Sequence, residues 1–429
     1  MNESNTESDR RAMTIAEKIL GEHAGEEVRA GDIVIADLDK MMFHDGTFNL
    51  VLQAWERMGE EELADAEKVI LIVDHSAPPP NEGAANLHSR MRKFAAEQGV
   101  KMYDVGEGIC HQIMPEQGHA LPGDLIIGAD SHTVTYGGIN AFSTGVGATD
   151  LAAGLVSGKL WFRVPQTIRV DLEGELAEGV FSKDLILWLA GELGADGATY
   201  KALEFGGEGL SSLSVEARLT VSNMAIELGG KAGLMEPDSF VLDWLKGRAE
   251  DGRRPRPVYP DEGAVYESEL TVNLADLVPV VAAPHEVDNV YPVTELAGKA
   301  IDQAVIGTCT NGRLEDLRTA ADLLEGSRVD PGVRLIVAPA SRAIYREASE
   351  EGTLGKLVQA GGTVIPPGCG PCLGTHNGIP GDGENVISTA NRNFKGRMGN
   401  ESSFVHLASP ATVAASAIEG EITDPRNWL

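Results

Sequence analysis

Short apolar runs that end in glycine or polar residues recur along the chain. Val69–Val73 leads into Asp74 and His75, Leu125–Ile127 into Asp130, Ser131 and His132, and Ala304–Gly307 into Thr308 and Cys309. Val364–Ile365 leads to Gly368 and Cys369, and Val386–Ile387 passes through Ser388 and Thr389 to Asn391 and Arg392. Continuous apolar runs of this length predict strands covered on both faces, as in parallel sheets. Helical stretches between them make an α/β protein the expectation. In open α/β sheets, ligands sit beyond the carboxyl ends of the strands. Each of these runs ends in a polar cluster at that position, which points to one shared site.

The same pattern divides the chain. Residues 1–13 are polar and read as a disordered tail. Thr14-Ile15-Ala16-Glu17 has the form of a capping box that opens a helix. A first α/β domain is expected over 14–165, closed by Trp161–Pro165. A second is expected over 166–282, beginning with the alternating Ile168–Leu172, and a third over 283–429. Gly247–Glu262 is rich in proline and charge and reads as an exposed linker or long loop. The expected architecture is three α/β domains with mainly parallel sheets around a cleft.

Composition narrows the function. The chain has 429 residues, 42% of them hydrophobic, and 50 glycines, which suits many βα turns. Lys and Arg number 35 against 65 Asp and Glu, a net charge of −30. Such a surface repels phosphate backbones, so nucleic acid is not an expected partner. No apolar run approaches the roughly 20 residues of a membrane span, and the amino terminus lacks the form of a secretory signal. An acidic surface of this kind fits an ordinary cytoplasmic enzyme or a salt-loving host, and no membrane contact is expected.

The four cysteines are too few for a disulfide framework in a chain this long. In Gly368-Cys369-Gly370-Pro371-Cys372-Leu373-Gly374, two thiolates on one turn can hold a metal ion or a cluster. Cys309, also just past an expected strand, is the natural third. Three thiolates suit a zinc site completed by a histidine, or a cluster with one position open. An open iron can act as a Lewis acid. Cys110 reads as a small buried hydrophobe. Arg392 and Arg397 on one loop can clamp carboxylates in planar, bidentate geometry. Asp74 and His75 offer an adjacent acid and imidazole after a strand. Asn223 and Glu227 fall on one face of an expected helix, in an apolar setting.

The stretches Gly307–Gly312, Gly368–Gly374 and Asn391–Arg397 resemble the cluster and arginine motifs of the aconitase superfamily. His44–Thr47, Val73–Ser76, Gly106–Gln112, Asp130–Thr133 and Ser222–Glu227 resemble its other motifs, in order along the chain. The resemblance implies a [4Fe–4S] cluster held by Cys309, Cys369 and Cys372. It implies dehydration and rehydration of a hydroxy di- or tricarboxylic acid. His75 would protonate the departing hydroxyl, tuned by Asp74. His111 with Asp130, and His132 with Glu227, would form further pairs beside the cluster. Ser131, Asn223, Asn391, Arg392, Arg397 and His44 would contact or surround the substrate.

Full-length aconitases carry a further carboxy-terminal domain with a catalytic serine and more arginines. This chain ends at Leu429, about 30 residues after Arg397, so that serine is expected from another polypeptide. The resemblance then implies the large subunit of a two-chain isomerase. Isopropylmalate, in leucine biosynthesis, is the first expectation; homoaconitate, citramalate and dimethylmalate are the alternatives. The partner is a small subunit that supplies a serine and an arginine. Rival readings are an RNA-binding regulator, opposed by the charge, and a zinc scaffold without catalysis.

Overall fold

A computed structural model describes residues 11–59, 62–250 and 252–429. Three sheets carry the architecture. The first runs Lys101–Tyr103, Val69–Ile72, Lys40–His44, Leu125–Gly128, Phe142–Gly145, with every neighbouring pair parallel. The second runs Ala232–Met235, Ala202–Gly206, Thr167–Glu173, Ser268–Asn273, again all parallel. The third has seven strands. From Phe404–Leu407 through Asn385–Ser388, Gln303–Gly307 and Arg334–Ala338 to Thr363–Val364 it is parallel, and Val280–Ala282 and Val290–Pro292 add an antiparallel edge. The expected mainly parallel α/β architecture is therefore present.

Strand alternation makes the third sheet the hinge of the packing. Successive side chains point to opposite faces. Ala304, Ile306 and Val337 join a core with Met42, Ile70 and Ile126 of the first sheet. Val305, Ile336 and Ala338 join Ile168, Val170 and Phe205 of the second. The third sheet is thus buried on both faces, which is why its strands read as unbroken apolar runs.

Most of the expected tail, residues 1–10, lies outside the described residues. Met13, at its end, is tied in: its backbone nitrogen donates to Asp261 Oδ2 at 2.9 Å, and its carbonyl accepts from the Asp261 nitrogen at 2.9 Å. Thr14 and Glu17 form the expected capping box on helix Ile15–Ala24. Lys159–Arg163 closes the first region by pairing antiparallel with Ile33–Asp37. The third sheet begins at Val280, a few residues before the expected boundary at 283.

The stretch Gly247–Glu262 is a long loop, but it is a strap rather than a free linker. Arg253 binds Asp124 Oδ2 at 2.5 Å, Arg256 reaches Glu22 and Asp39, and Val258 N donates to Asn140 Oδ1 at 2.8 Å. Arg253 and Arg256, whose charge suggested solvent, are matched to acidic residues of the amino-terminal region.

Candidate active site

The loop after Val69–Ile72 presents Asp74 and His75. Asp45, itself buried, accepts from the backbone nitrogens of Asp74, His75 and Ser76 at 3.1, 2.9 and 2.7 Å. Those three bonds fix the loop. His75 Nδ1 then lies 2.6 Å from Asp74 Oδ1, and Asp74 Oδ2 accepts from Cys110 N at 2.7 Å. Burial opposes a charge on His75, but the Cys369 sulfur and Asp74 outweigh it and raise its pKa well above the ordinary value.

Asp130 opens a 3-10 segment, Ser131–Ile139, by accepting from His132 N at 2.7 Å. Gly137 lets this segment pack against the second domain: a Cβ there would lie 1.8 Å from Gly233 O. Asp130 gathers four imidazoles. His111 Nε2 and His132 Nδ1 lie 2.8 and 3.6 Å from its Oδ1, and His44 Nε2 and His75 Nε2 lie 3.3 and 3.7 Å from its Oδ2. Burial pushes the Asp130 pKa up, yet His111 and its other partners hold it well below the usual carboxylate range. Burial presses His111 itself down. His44 stacks on His75 with ring centroids 3.8 Å apart.

Asn223 and Glu227 meet the site by a route the helical pattern did not foresee. Helix Val215–Asn223 ends at Asn223 and continues as a 3-10 turn, Met224–Leu228. Asn223 Nδ2 donates to Thr135 Oγ1 at 2.9 Å and to Cys309 Sγ at 3.3 Å. Glu227 Oε1 lies 3.0 Å from His132 Nε2 and accepts from Arg392 Nε at 2.6 Å. These partners hold its pKa below the ordinary value against burial. Arg392 Nη2 also donates to Ser131 Oγ at 3.0 Å.

The cysteines come from two loops. Gly307 has a φ of 143°, and a Cβ there would lie 2.3 Å from Ala338 O. Thr308 follows with a φ of 72°, a strained conformation for a β-branched residue, immediately before Cys309. Cys369 N donates to Asp74 O at 2.9 Å, which docks the second loop on the first. The sulfurs of Cys309, Cys369 and Cys372 line one small cavity with His75, His111, Asp130, His132, Asn391 and Arg397. Cys110 is buried but does not line it.

Three donors turn toward the sulfurs. Asn223 and Asn391 reach Cys309 Sγ at 3.3 and 3.4 Å, and Arg397 Nη2 reaches Cys372 Sγ at 3.4 Å. Amide and guanidinium donors suit thiolates, whereas burial pushes the Cys369 thiol pKa well up. A resident cationic centre resolves that conflict, because it deprotonates the thiols it binds. The donor set therefore fits an iron–sulfur cluster held by three cysteines.

Several supporting residues carried no separate sequence signal. Asp45 lies inside the quoted stretch His44–Thr47, and Arg313 just after Gly307–Gly312. Arg313 is fully buried and donates to Cys309 O at 2.9 Å and Gln112 Oε1 at 3.1 Å. Tyr136 OH lies 3.2 Å from His111 Nδ1. Lys183 is fully buried, and loss of water lowers its pKa to about 7.

Known proteins share this arrangement of sequence and fold. A protein of Methanopyrus kandleri named 3-isopropylmalate dehydratase large subunit 1 is 54% identical over 97% of this chain and 99% of its own length. The 3-isopropylmalate dehydratase large subunit 2 of Archaeoglobus fulgidus is 52% identical over 97% of this chain and 99% of its own. A "probable methanogen homoaconitase large subunit" of Methanosarcina mazei is 52% identical over 92% of this chain and all of its own length (100%). Among solved structures, aconitase X of Thermococcus kodakaraensis in its holo-form matches with a TM-score of 0.50 over 88% of each chain, at 14% identity. Residues 17–300 and 294–420 match the aconitase family (aconitate hydratase), and the chain belongs to that family.

Proposed function

We propose that this chain is the cluster-bearing large subunit of a hydro-lyase that interconverts 2-isopropylmalate and 3-isopropylmalate in leucine biosynthesis. One observation carries the chemistry: three cysteines from two loops line one small cavity with the imidazole–carboxylate groups of His75, His111, Asp130 and His132. The names of the two dehydratase relatives supply the substrate, and "large subunit" implies a small partner. The Methanosarcina relative keeps homoaconitate as the second reading. The chain would act in the cytoplasm; among its described residues no helix is long and apolar enough to cross a membrane.

Cys309, Cys369 and Cys372 would hold a [4Fe–4S] cluster, which when bound supplies a Lewis-acidic iron for the hydroxyl that leaves. The chain's own residues do the rest. His75, kept protonated beside Asp74, donates a proton to the departing hydroxyl. Asp130 holds the imidazoles of His111 and His44 in place. Glu227 orients His132 and braces Arg392. Arg392 with Ser131, and Arg397, bind substrate carboxylates by charge-assisted hydrogen bonds. Asn223 and Asn391 fix the Cys309 sulfur. The proton taken from carbon needs a base, and the small subunit provides it as a serine, together with a further arginine.

The test uses anaerobically purified chain, with and without its small subunit. The chain alone should be brown and nearly inactive, and the pair should turn over isopropylmalate faster than homocitrate, citramalate or dimethylmalate. Full activity without the partner, or a colourless protein holding zinc, would overturn the proposal. A preference for the tricarboxylate would move the assignment to homoaconitase.

A further inference from the structure

Helix Ser182–Leu193 carries Lys183 at its second position, and the side chain is fully buried. A cation there is unfavourable on two counts. The helix dipole is positive at this end, and burial strips the ammonium of water. Lysine is almost never fully buried without an anionic partner. Among the described residues no carboxylate forms an ion pair with Lys183. Asp184, its neighbour, accepts instead from the backbone nitrogens of Phe181 at 2.9 Å and Val280 at 3.0 Å.

The Lys183 ammonium donates to the carbonyl oxygens of Thr389 at 2.9 Å and Ala390 at 2.6 Å. These carbonyls stand at a joint of the site. Thr389 Oγ1 accepts from Gly307 N at 2.9 Å and donates to Gly307 O at 3.1 Å, locking together the ends of two neighbouring strands. Cys309 departs from one of these ends and Asn391 and Arg392 from the other. Asn391 then returns to Cys309 Sγ at 3.4 Å. Two carbonyls offer dipoles, not a countercharge. Ala390 runs directly into Asn391, whose amide meets the Cys309 sulfur, so the pinned turn adjoins the cysteine set that would carry the cluster.

We propose that Lys183 is a positioning residue and the buried countercharge of the cluster: it pins the Thr389–Arg392 turn from behind and balances the negative charge gathered on the cysteines. The inference rests on the cluster assignment above. A fixed positive charge favours the more electron-rich state of a cluster, so its removal should lower the reduction potential. Lys183→Gln keeps a donor for the carbonyls without the charge, and Lys183→Met removes both.

The experiment is an EPR-monitored redox titration of the cluster-loaded two-chain enzyme, with kcat and KM measured in parallel. Both variants should show a more negative midpoint potential than wild type. Lys183→Met should also lose about 10–100-fold in cluster retention or activity, as expected when a group behind the ligands is removed. Its KM should rise as Arg392 loosens, and Lys183→Gln should keep KM near wild type. An unmoved potential in Lys183→Gln would overturn the countercharge, even if Lys183→Met fails to fold. A raised KM in Lys183→Gln, with its potential lowered, would overturn the division of roles. Wild-type protein that takes up no iron–sulfur cluster overturns the functional reading and this inference together. Loaded wild type with unmoved variants overturns this inference alone.

Discussion

Histidines stand beside carboxylates at both ends of the first parallel sheet. At the carboxyl ends of the strands, His75 lies 2.6 Å from Asp74. At the other end, His119 Nδ1 lies 3.0 Å from Glu250 and its Nε2 meets Tyr103 OH at 2.6 Å. Both rings are buried, yet they titrate in opposite directions. Burial disfavours the charged ring in each case. For His75 the neighbouring sulfur and carboxylate overcome it. For His119 the cations Lys101, Lys40 and Arg253 reinforce it, and the pKa falls. Glu250 is already shared with Lys40 and Lys101, so it has less to offer the ring. A histidine–carboxylate contact is therefore not in itself the mark of a site. At the cleft several such contacts converge on one cavity with three sulfurs, whereas at the opposite end each is closed off by a lysine, an arginine or the strap.

The comparison breaks most visibly at the sulfurs. Serine at Cys309, Cys369 or Cys372 should abolish both cluster and turnover, read as loss of iron and of visible absorption. Serine at Cys110, which lies outside the cavity, should leave both in place. Retention of a full cluster in Cys309→Ser would remove that residue from the ligand set.

One step down in size, His75→Ala and Asp74→Asn should keep the cluster and lose about 10²–10⁴-fold in kcat, the usual contribution of a positioned proton donor. His119→Gln should leave kcat near wild type, because its ring faces Tyr103 and Glu250 and not the cavity. Equal losses at His75 and His119 would erase the distinction between the two ends.

The cleft was legible in the sequence because its chemistry sits on short motifs at strand ends. Asp74, Asp130, Cys309, Cys369 and Arg392 each follow an apolar run. The partners of Asn223 and Glu227 were legible only in part. The apolar setting of Glu227 pointed inward, but the switch from α-helix to 3-10 after Asn223 depends on tertiary contacts that no helical period records. The opposite end was not legible. Gly247–Glu262 has the composition of a solvated loop, and two of its arginines, Arg253 and Arg256, find partners at Asp124 and Glu22. Long-range pairing of exposed-looking charges leaves no local pattern. Lys183 was hidden for a similar reason: one lysine at a helix start looks like solvated surface until the third sheet is packed against it.

A third effect separates structure from chemistry. Arg253→Ala removes a charged hydrogen bond to Asp124, whose burial already raises its pKa to about 6. The strap should loosen at a cost of ~1.5–3 kcal/mol, the range for a hydrogen bond to a charged group. Chemical denaturation would measure this, while kcat of the folded two-chain enzyme should stay near wild type. A collapse of kcat at full folding would mean that the strap reaches the cleft.

The smallest effect is a pH dependence of stability carried by His119. Its folded pKa lies below the ordinary 6.5, so between the two values the unfolded chain binds the extra proton. Stability from this residue is therefore complete above about 6.5 and drains away as pH falls toward the lower, folded value. Asp124 works the other way in the same region. Its folded pKa, near 6 against an ordinary 3.8, means that the native state takes up its proton first, which favours folding as pH drops. His406, also lowered, to about 4, adds to the His119 trend. The wild-type slope is thus a sum of opposing contributions, and the difference between wild type and His119→Gln isolates one of them. Asp124 and His406 are present in both proteins and largely cancel. Denaturation midpoints taken from pH 8 down to pH 5 should draw together, with wild type losing its advantage as the solution becomes acidic. A difference that stays constant across that range would mean that His119 is as easily protonated in the folded protein as in the unfolded one, and the contrast with His75 would then rest on His75 alone.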